Sequence, residues 1–132
     1  MRALFDDYAR RVPWAITLKE IEPKGRNGAA LLSQAVPGDA KLVALDQRGK
    51  ELSSDQWARQ IGAWQDGGVR DLGFVIGGAD GLDEALIHRA DLVLSLGAMI
   101  WPHLLVKVLL AEQLYRASTI LSGHPYHRKS PI

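Results

Sequence analysis

The chain has 132 residues, of which 47% are hydrophobic and 23% charged, with a formal net charge of +1 and no cysteine. That length fits one compact domain, and the lack of cysteine excludes disulfides, thiolate nucleophiles and Cys-ligated zinc. No run approaches the ~18 consecutive apolar residues of a spanning helix, and the opening MRALFDDYARR has no secretory layout, so a cytoplasmic location away from any membrane is expected.

The charge is unevenly distributed. Residues 1–26 carry net +2, residues 27–112 net −4 and residues 113–132 net +3, with no acidic residue in that last stretch. The basic tail also holds His124 and His127, so it has nothing to repel a polyanion, although a solvated tail would look the same.

In chain order, helical and strand-like segments alternate with short Gly- or Pro-containing joints, the pattern of an α/β layer fold. Leu4, Phe5, Tyr8 and Val12 recur at helical spacing over residues 2–11, and Pro13 ends that helix. Trp14, Ile16 and Leu18 alternate as in a strand. Residues 22–28 form a polar, turn-rich loop, and 29–36 a short helix. The apolar run 42–45 suits a buried parallel strand, with a turn expected at 47–50. Ser53 or Ser54 can cap a helix over 55–64 that Gly67 and Gly68 end. A strand at 72–76 leads into Gly77, Gly78 and Gly81, then a helix over 82–90 and a strand at 92–94. An apolar connector, 95–102, precedes a last helix over 103–120. Leu104, Leu105, Val106, Val108, Leu109, Leu110, Leu114 and Ala117 surround that helix on all sides, so it is buried on more than one face. A second subunit is the expected cover, and a homodimer is predicted.

Ligands of parallel α/β sheets bind beyond the carboxyl ends of the strands, here after Leu45, Ile76 and Leu94. The glycines after Ile76 either admit a ligand close to the backbone or provide turns. Their G-G-x-x-G spacing lacks the second glycine of a dinucleotide fingerprint, and no P-loop occurs. The connector 96–101 is apolar, so a polar ligand there is met by main-chain groups, as an adenine between apolar side chains would be; ordinary core would read alike. Asp80, Asp83 and Glu84 cluster at a helix start, where carboxylates cap, and His88 reads as a surface residue. His103 follows Pro102 at a helix start, as a cap or a functional group. The group His124, Pro125, Tyr126, His127 and Arg128 is the densest set of proton-transfer, stacking and phosphate-binding side chains.

Three stretches carry a wider pattern: FVIGGADGL at 74–82, LSLGAMIWPHLLVKVLLAEQLYRA at 94–117 and GHPYHR at 123–128. Together, and with FDDYARR near the start, they closely resemble the ribosomal RNA large subunit methyltransferase H family of the SPOUT class. The resemblance implies a doubly wound, mostly parallel α/β sheet in one domain spanning 1–132, with a C-terminal trefoil knot and the cofactor region at about 72–128. Members of the family ordinarily have a further strand ahead of the helix that matches residues 2–11, so a sheet without that first strand is expected. The resemblance also implies a homodimer, S-adenosylmethionine as methyl donor and no metal. Carried over, the donor-binding positions are Leu45, Gly77, Leu96, Gly97, Ala98, Met99, Ile100 and Trp101. The implied reaction is methylation of N3 of a pseudouridine in 23S ribosomal RNA of assembled ribosomes, not of DNA. An imide N3 is a poor nucleophile while protonated. That requirement assigns His127 as base or proton relay, Arg116 as charge stabiliser or phosphate contact, and Tyr126 as a stacking or hydrogen-bonding residue. Methylation of another RNA position, or a non-catalytic RNA-binding dimer, are the competing readings.

Overall fold

The computed structural model describes residues 2–14, 39–76, 82, 84–99 and 101–127. The chain divides into two compact units, one of Met1–Ile16, Leu52–Gly67 and Trp101–Ile132, the other of Thr17–Glu51 and Gly68–Ile100.

The second unit holds a sheet of three parallel strands, β1 (Lys41–Lys50), β2 (Leu72–Ile76) and β3 (Leu92–Leu94), in the order β2-β1-β3. β1 is central, and residues 42–46 are buried, as its unbroken apolar run requires of a strand covered on both faces. Helix α3, spaced from β2 by residues 77–83, runs over Glu84–Arg89, two residues inside the expected start. Its Leu86 joins Leu42, Ala44, Val75 and Leu82 in the core, with Ile87, Ala90 and Val93 packed against them. At the entry to β3, Asp91 ties the sheet in register, accepting from the Leu42 N–H at 2.8 Å and donating its own N–H to the Leu42 carbonyl at 2.8 Å.

One expectation is corrected here. Residues 47–50 do not form a turn but continue β1. The ladder with β3 is irregular instead: Leu94 pairs with Leu45 and again with Lys50, and the Lys50 carbonyl accepts from the Ser95 N–H at 2.8 Å. The extended path is possible because Gly49 has no side chain; a Cβ there would lie 2.5 Å from the Val93 carbonyl oxygen.

The first unit is helical. α1 (Arg2–Arg11) and α2 (Ser54–Asp66) each pack against the 20-residue α4 (His103–Ser122). α2 starts with a capping box: the Ser53 hydroxyl accepts from the Gln56 N–H at 3.1 Å, and the Gln56 side chain accepts from the Ser53 N–H at 2.8 Å. Thus Ser53 is the cap, and Gly67 closes the helix, as the glycine pair predicts. In α1 the expected apolar stripe is only partly covered: Leu4 is exposed, Tyr8 half-buried, and the buried Val12 lies just beyond the last turn. In α4, Val108, Leu110, Leu114 and Ala117 are buried, whereas Leu104 stays exposed. The buried hydroxyls of Ser118 and Thr119 return hydrogen bonds to the carbonyls of Tyr115 and Arg116 at 2.6 and 2.7 Å, so they sit in the interior with their polarity satisfied. The expected strand around Ile16 and Leu18 and the helix over 29–36 lie outside the described residues.

Candidate active site

Two groups of site residues are defined, one in each unit. In the sheet unit, Leu45 pairs with Ile76 on one side and Leu94 on the other, so β2 and β3 both end level with Leu45, while β1 runs on to Lys50. This is the edge at which parallel sheets present ligands. The chain leaves β3 through Ser95, whose hydroxyl accepts from the Gly97 N–H at 3.1 Å and donates to the Gly97 carbonyl at 3.2 Å. Gly97 has φ +114, and nothing lies within 4 Å of a Cβ built on it. Beyond it Met99 is 72% exposed, an apolar side chain in a stretch where residues 95–99 carry no charge. Trp101, in the helical unit, is 40% exposed. Gly77 and Ile100, of the expected donor-binding positions, lie outside the described residues, as do Asp80, Asp83 and Arg128.

These features fit an adenosyl ligand. An uncharged connector with an exposed thioether side chain offers an apolar face to a planar base, and an open glycine lets main-chain groups meet its polar edge.

In the helical unit, the last turn of α4 and the residues after it bring Arg116, Tyr126 and His127 together. Gly123 adopts a left-handed conformation, φ 78 and ψ 10, which caps α4 and reverses the chain. Tyr126 and His127 then return beside the helix. Glu112 is the common partner of Arg116 and Tyr126, with one carboxylate oxygen, Oε1, accepting from Arg116 Nε at 2.9 Å and from the Tyr126 hydroxyl at 3.1 Å, and standing 2.7 Å from Arg116 Nη2. The guanidinium also stacks over the Tyr126 ring at 4.9 Å, and its Nη1 lies 3.0 Å from His127 Nδ1. A guanidinium only donates. Nδ1 is therefore the acceptor in this contact, and the ring proton sits on Nε2, which lies 3.7 Å from Asp55 Oδ1 on α2. Tyr115 packs edge-on against Tyr126 with ring centroids 4.7 Å apart. Burial, together with hydrogen bonding to Tyr8 and the neighbouring Glu112 carboxylate, pushes the Tyr126 phenol up to about 12.

Glu112, Tyr115, Tyr8 and Asp55 were not read from the sequence as site residues. The signal for the first was present, because Glu112 and Arg116 stand four apart on a helix. His88 is exposed, as expected, 3.8 Å from Glu84 one turn earlier. His124 accepts from the Tyr126 N–H through Nδ1 at 3.2 Å, shaping the return. The N-cap of α4 is Pro102, which offers no side-chain cap.

The family model described as Predicted SPOUT methyltransferase matches residues 1–127. Curated proteins named Ribosomal RNA large subunit methyltransferase H are similar over most of their length. The one from Rhodospirillum centenum is 53% identical over 96% of this chain and 89% of its own. The one from Paracoccus denitrificans is 55% identical over 86% of this chain and 76% of its own, and that from Ruegeria pomeroyi is 49% identical over 96% and 89%. The chain belongs to the ribosomal RNA large subunit methyltransferase H family of SPOUT methyltransferases. Membership makes it a methyltransferase. Among the described residues, no group of His, Asp and Glu side chains is arranged to hold a metal ion, and no helix is long and apolar enough to cross a membrane.

Proposed function

We propose that this methyltransferase of the H family uses S-adenosylmethionine to methylate N3 of a pseudouridine in the 23S ribosomal RNA of assembled ribosomes, acting as a cytoplasmic homodimer whose single domain carries a C-terminal trefoil knot. The observation that carries the reading is the convergence of Glu112, Tyr126 and His127 on Arg116, whose guanidinium meets the Glu112 carboxylate, the Tyr126 ring and His127 Nδ1. Residue types chosen for imide methylation meet in one network, in a chain whose relatives bear a ribosomal RNA methyltransferase name.

Leu45, Gly77 and residues 96–101 are assigned to the donor, which supplies an electrophilic methyl on a sulfonium. The other requirement is an N3 free of its proton and aligned with that methyl. Arg116 is suited to hold an anionic base or a phosphate, since Glu112 secures one edge of its guanidinium and leaves Nη1 to a partner that can be exchanged. When a substrate oxygen takes that donor, the lone pair of His127 Nδ1 is released and can accept the N3 proton. Tyr126, kept neutral, serves as a rigid hydrogen-bonding and stacking surface.

Three measurements test this. Calorimetry with S-adenosylmethionine should show binding to the wild-type chain. Labelled donor and ribosomes lacking the modification should yield label at one pseudouridine N3; label at another nucleotide would favour a different RNA target, and donor binding without any labelling would overturn the reading. Under single-turnover conditions Arg116→Ala and His127→Ala should each slow transfer by about 10²-fold or more. Wild-type rates in both would remove these residues from the reaction.

A further inference from the structure

The residue after Leu45 has no part in the chemistry above, yet it is among the most heavily hydrogen-bonded side chains in the sheet unit. The Asp46 side chain is only 2% exposed. It accepts from the Arg48 N–H at 3.0 Å and Arg48 Nε at 2.9 Å on Oδ1, and from Arg48 Nη2 at 3.1 Å and the Leu82 N–H at 2.9 Å on Oδ2. Arg48 Nη2 also donates to the Leu82 carbonyl at 2.6 Å, and its Nη1 to Glu84 at 3.2 Å. Both main-chain groups of Leu82 are thus held from β1, one by the acid and the other by the base.

Leu82 is where the glycine-containing stretch that begins after Ile76 rejoins the core. Ile76 itself is paired with Leu45 on β1. β1 therefore fixes both ends of the stretch that carries Gly77, through a ladder contact at one end and the Asp46–Arg48 pair at the other. Apolar packing of Leu82 alone would supply stability without direction, whereas a bidentate carboxylate–guanidinium pair admits one orientation. Arg48 is half exposed, so little of its effect is expected to come from burial.

We propose that Asp46 and Arg48 are positioning residues for the methyl donor, locking Leu82, at the exit of the glycine stretch, to the strand that carries Leu45. The inference rests on the donor lying beyond the paired positions Leu45, Ile76 and Leu94. The experiment is titration calorimetry of the full-length chain with S-adenosylmethionine and with S-adenosylhomocysteine, alongside thermal unfolding without ligand. Arg48→Ala, measured well below its unfolding temperature, should bind both ligands about tenfold more weakly, and in turnover the loss should fall on KM for the donor more than on kcat. Arg48→Lys, whose single ammonium cannot serve Asp46, Leu82 and Glu84 together, should show a smaller loss in the same direction. A clamp of structural value only would lower the unfolding temperature and leave affinity untouched, and wild-type affinity in folded Arg48→Ala overturns the proposal. Should Arg48→Ala not fold, the lysine variant decides by the same criterion. If the wild-type chain binds neither ligand, the donor site itself fails; if it binds and Arg48→Ala binds equally, only the clamp fails.

Discussion

Tyr126 is a phenol whose surroundings favour its neutral form: burial, the hydroxyl of Tyr8 and a hydrogen-bonded carboxylate at Glu112. Its ionisation, raised to about 12, should appear in a spectrophotometric titration at 295 nm as a late step that Tyr126→Phe removes. Because the folded value lies above the ordinary 10, the associated stability is complete below pH 10 and lost as pH rises towards 12. Asp46 behaves in the opposite sense. The Arg48 guanidinium, then the N–H groups of Arg48 and Leu82, hold its carboxyl down at about 2 against the opposing effect of burial. Its contribution is complete above about pH 4 and disappears as pH falls towards 2, so acid unfolding of Asp46→Asn should show a shallower loss over that interval. The residue chemistry of the tail was legible in the sequence because His, Tyr and Arg are crowded there. Glu112 was legible only as the i,i+4 partner of Arg116, not as a partner of Tyr126, and Asp55 was not legible at all, because it reaches His127 through the packing of α2. Asp46 looked like an ordinary polar residue at the end of an apolar run, and nothing local shows that its four donors come from residues two and thirty-six positions away.

At the level of elements, glycine and proline located most boundaries. The helix 2–11 stops before Pro13, β2 and β3 fall where their apolar runs predict, and α2 begins at a serine with a glutamine three residues on. Local composition misread β1, since Gln47, Arg48, Gly49 and Lys50 are turn-forming types that here stay extended. Their conformation is imposed by partners the sequence does not place beside them: Leu94 and Ser95 across the ladder, and Asp46 and Leu82 around Arg48. Gly49 is the local concession to that arrangement. Gly49→Ala would push a methyl against the Val93 carbonyl, backbone that cannot rotate away. The expected cost is about 2 kcal/mol or more, read as a lower urea midpoint. Ser53→Ala removes half of the capping box and should cost about 1 kcal/mol by the same measurement.

For the whole molecule, the proposed homodimer rests on apolar side chains that the helical unit leaves in contact with water. Leu104 and Leu121 are 51% and 42% exposed on α4 and Leu4 52% exposed on α1, with Trp101 just ahead of α4. Single exposed apolar residues are ordinary, but four on one unit of this size are a candidate for association. Sedimentation at micromolar concentration should give a dimer, and Leu104→Glu should weaken it by at least about tenfold, since a carboxylate would have to be desolvated on docking. A monomeric wild-type chain at that concentration would remove the dimer.

The reversal at Gly123 has a stereochemical meaning. Its backbone angles belong to the half of conformational space that L-amino acids avoid, and an added Cβ would meet nothing within 4 Å, so the constraint there is one of handedness, not of room. A chain assembled by ligation with D-alanine at position 123 should therefore keep Tyr126 and His127 beside Arg116, whereas L-alanine should lose about 1–2 kcal/mol and loosen them. The placement of Tyr126 and His127 can thus be tested by mirror image, with composition held constant.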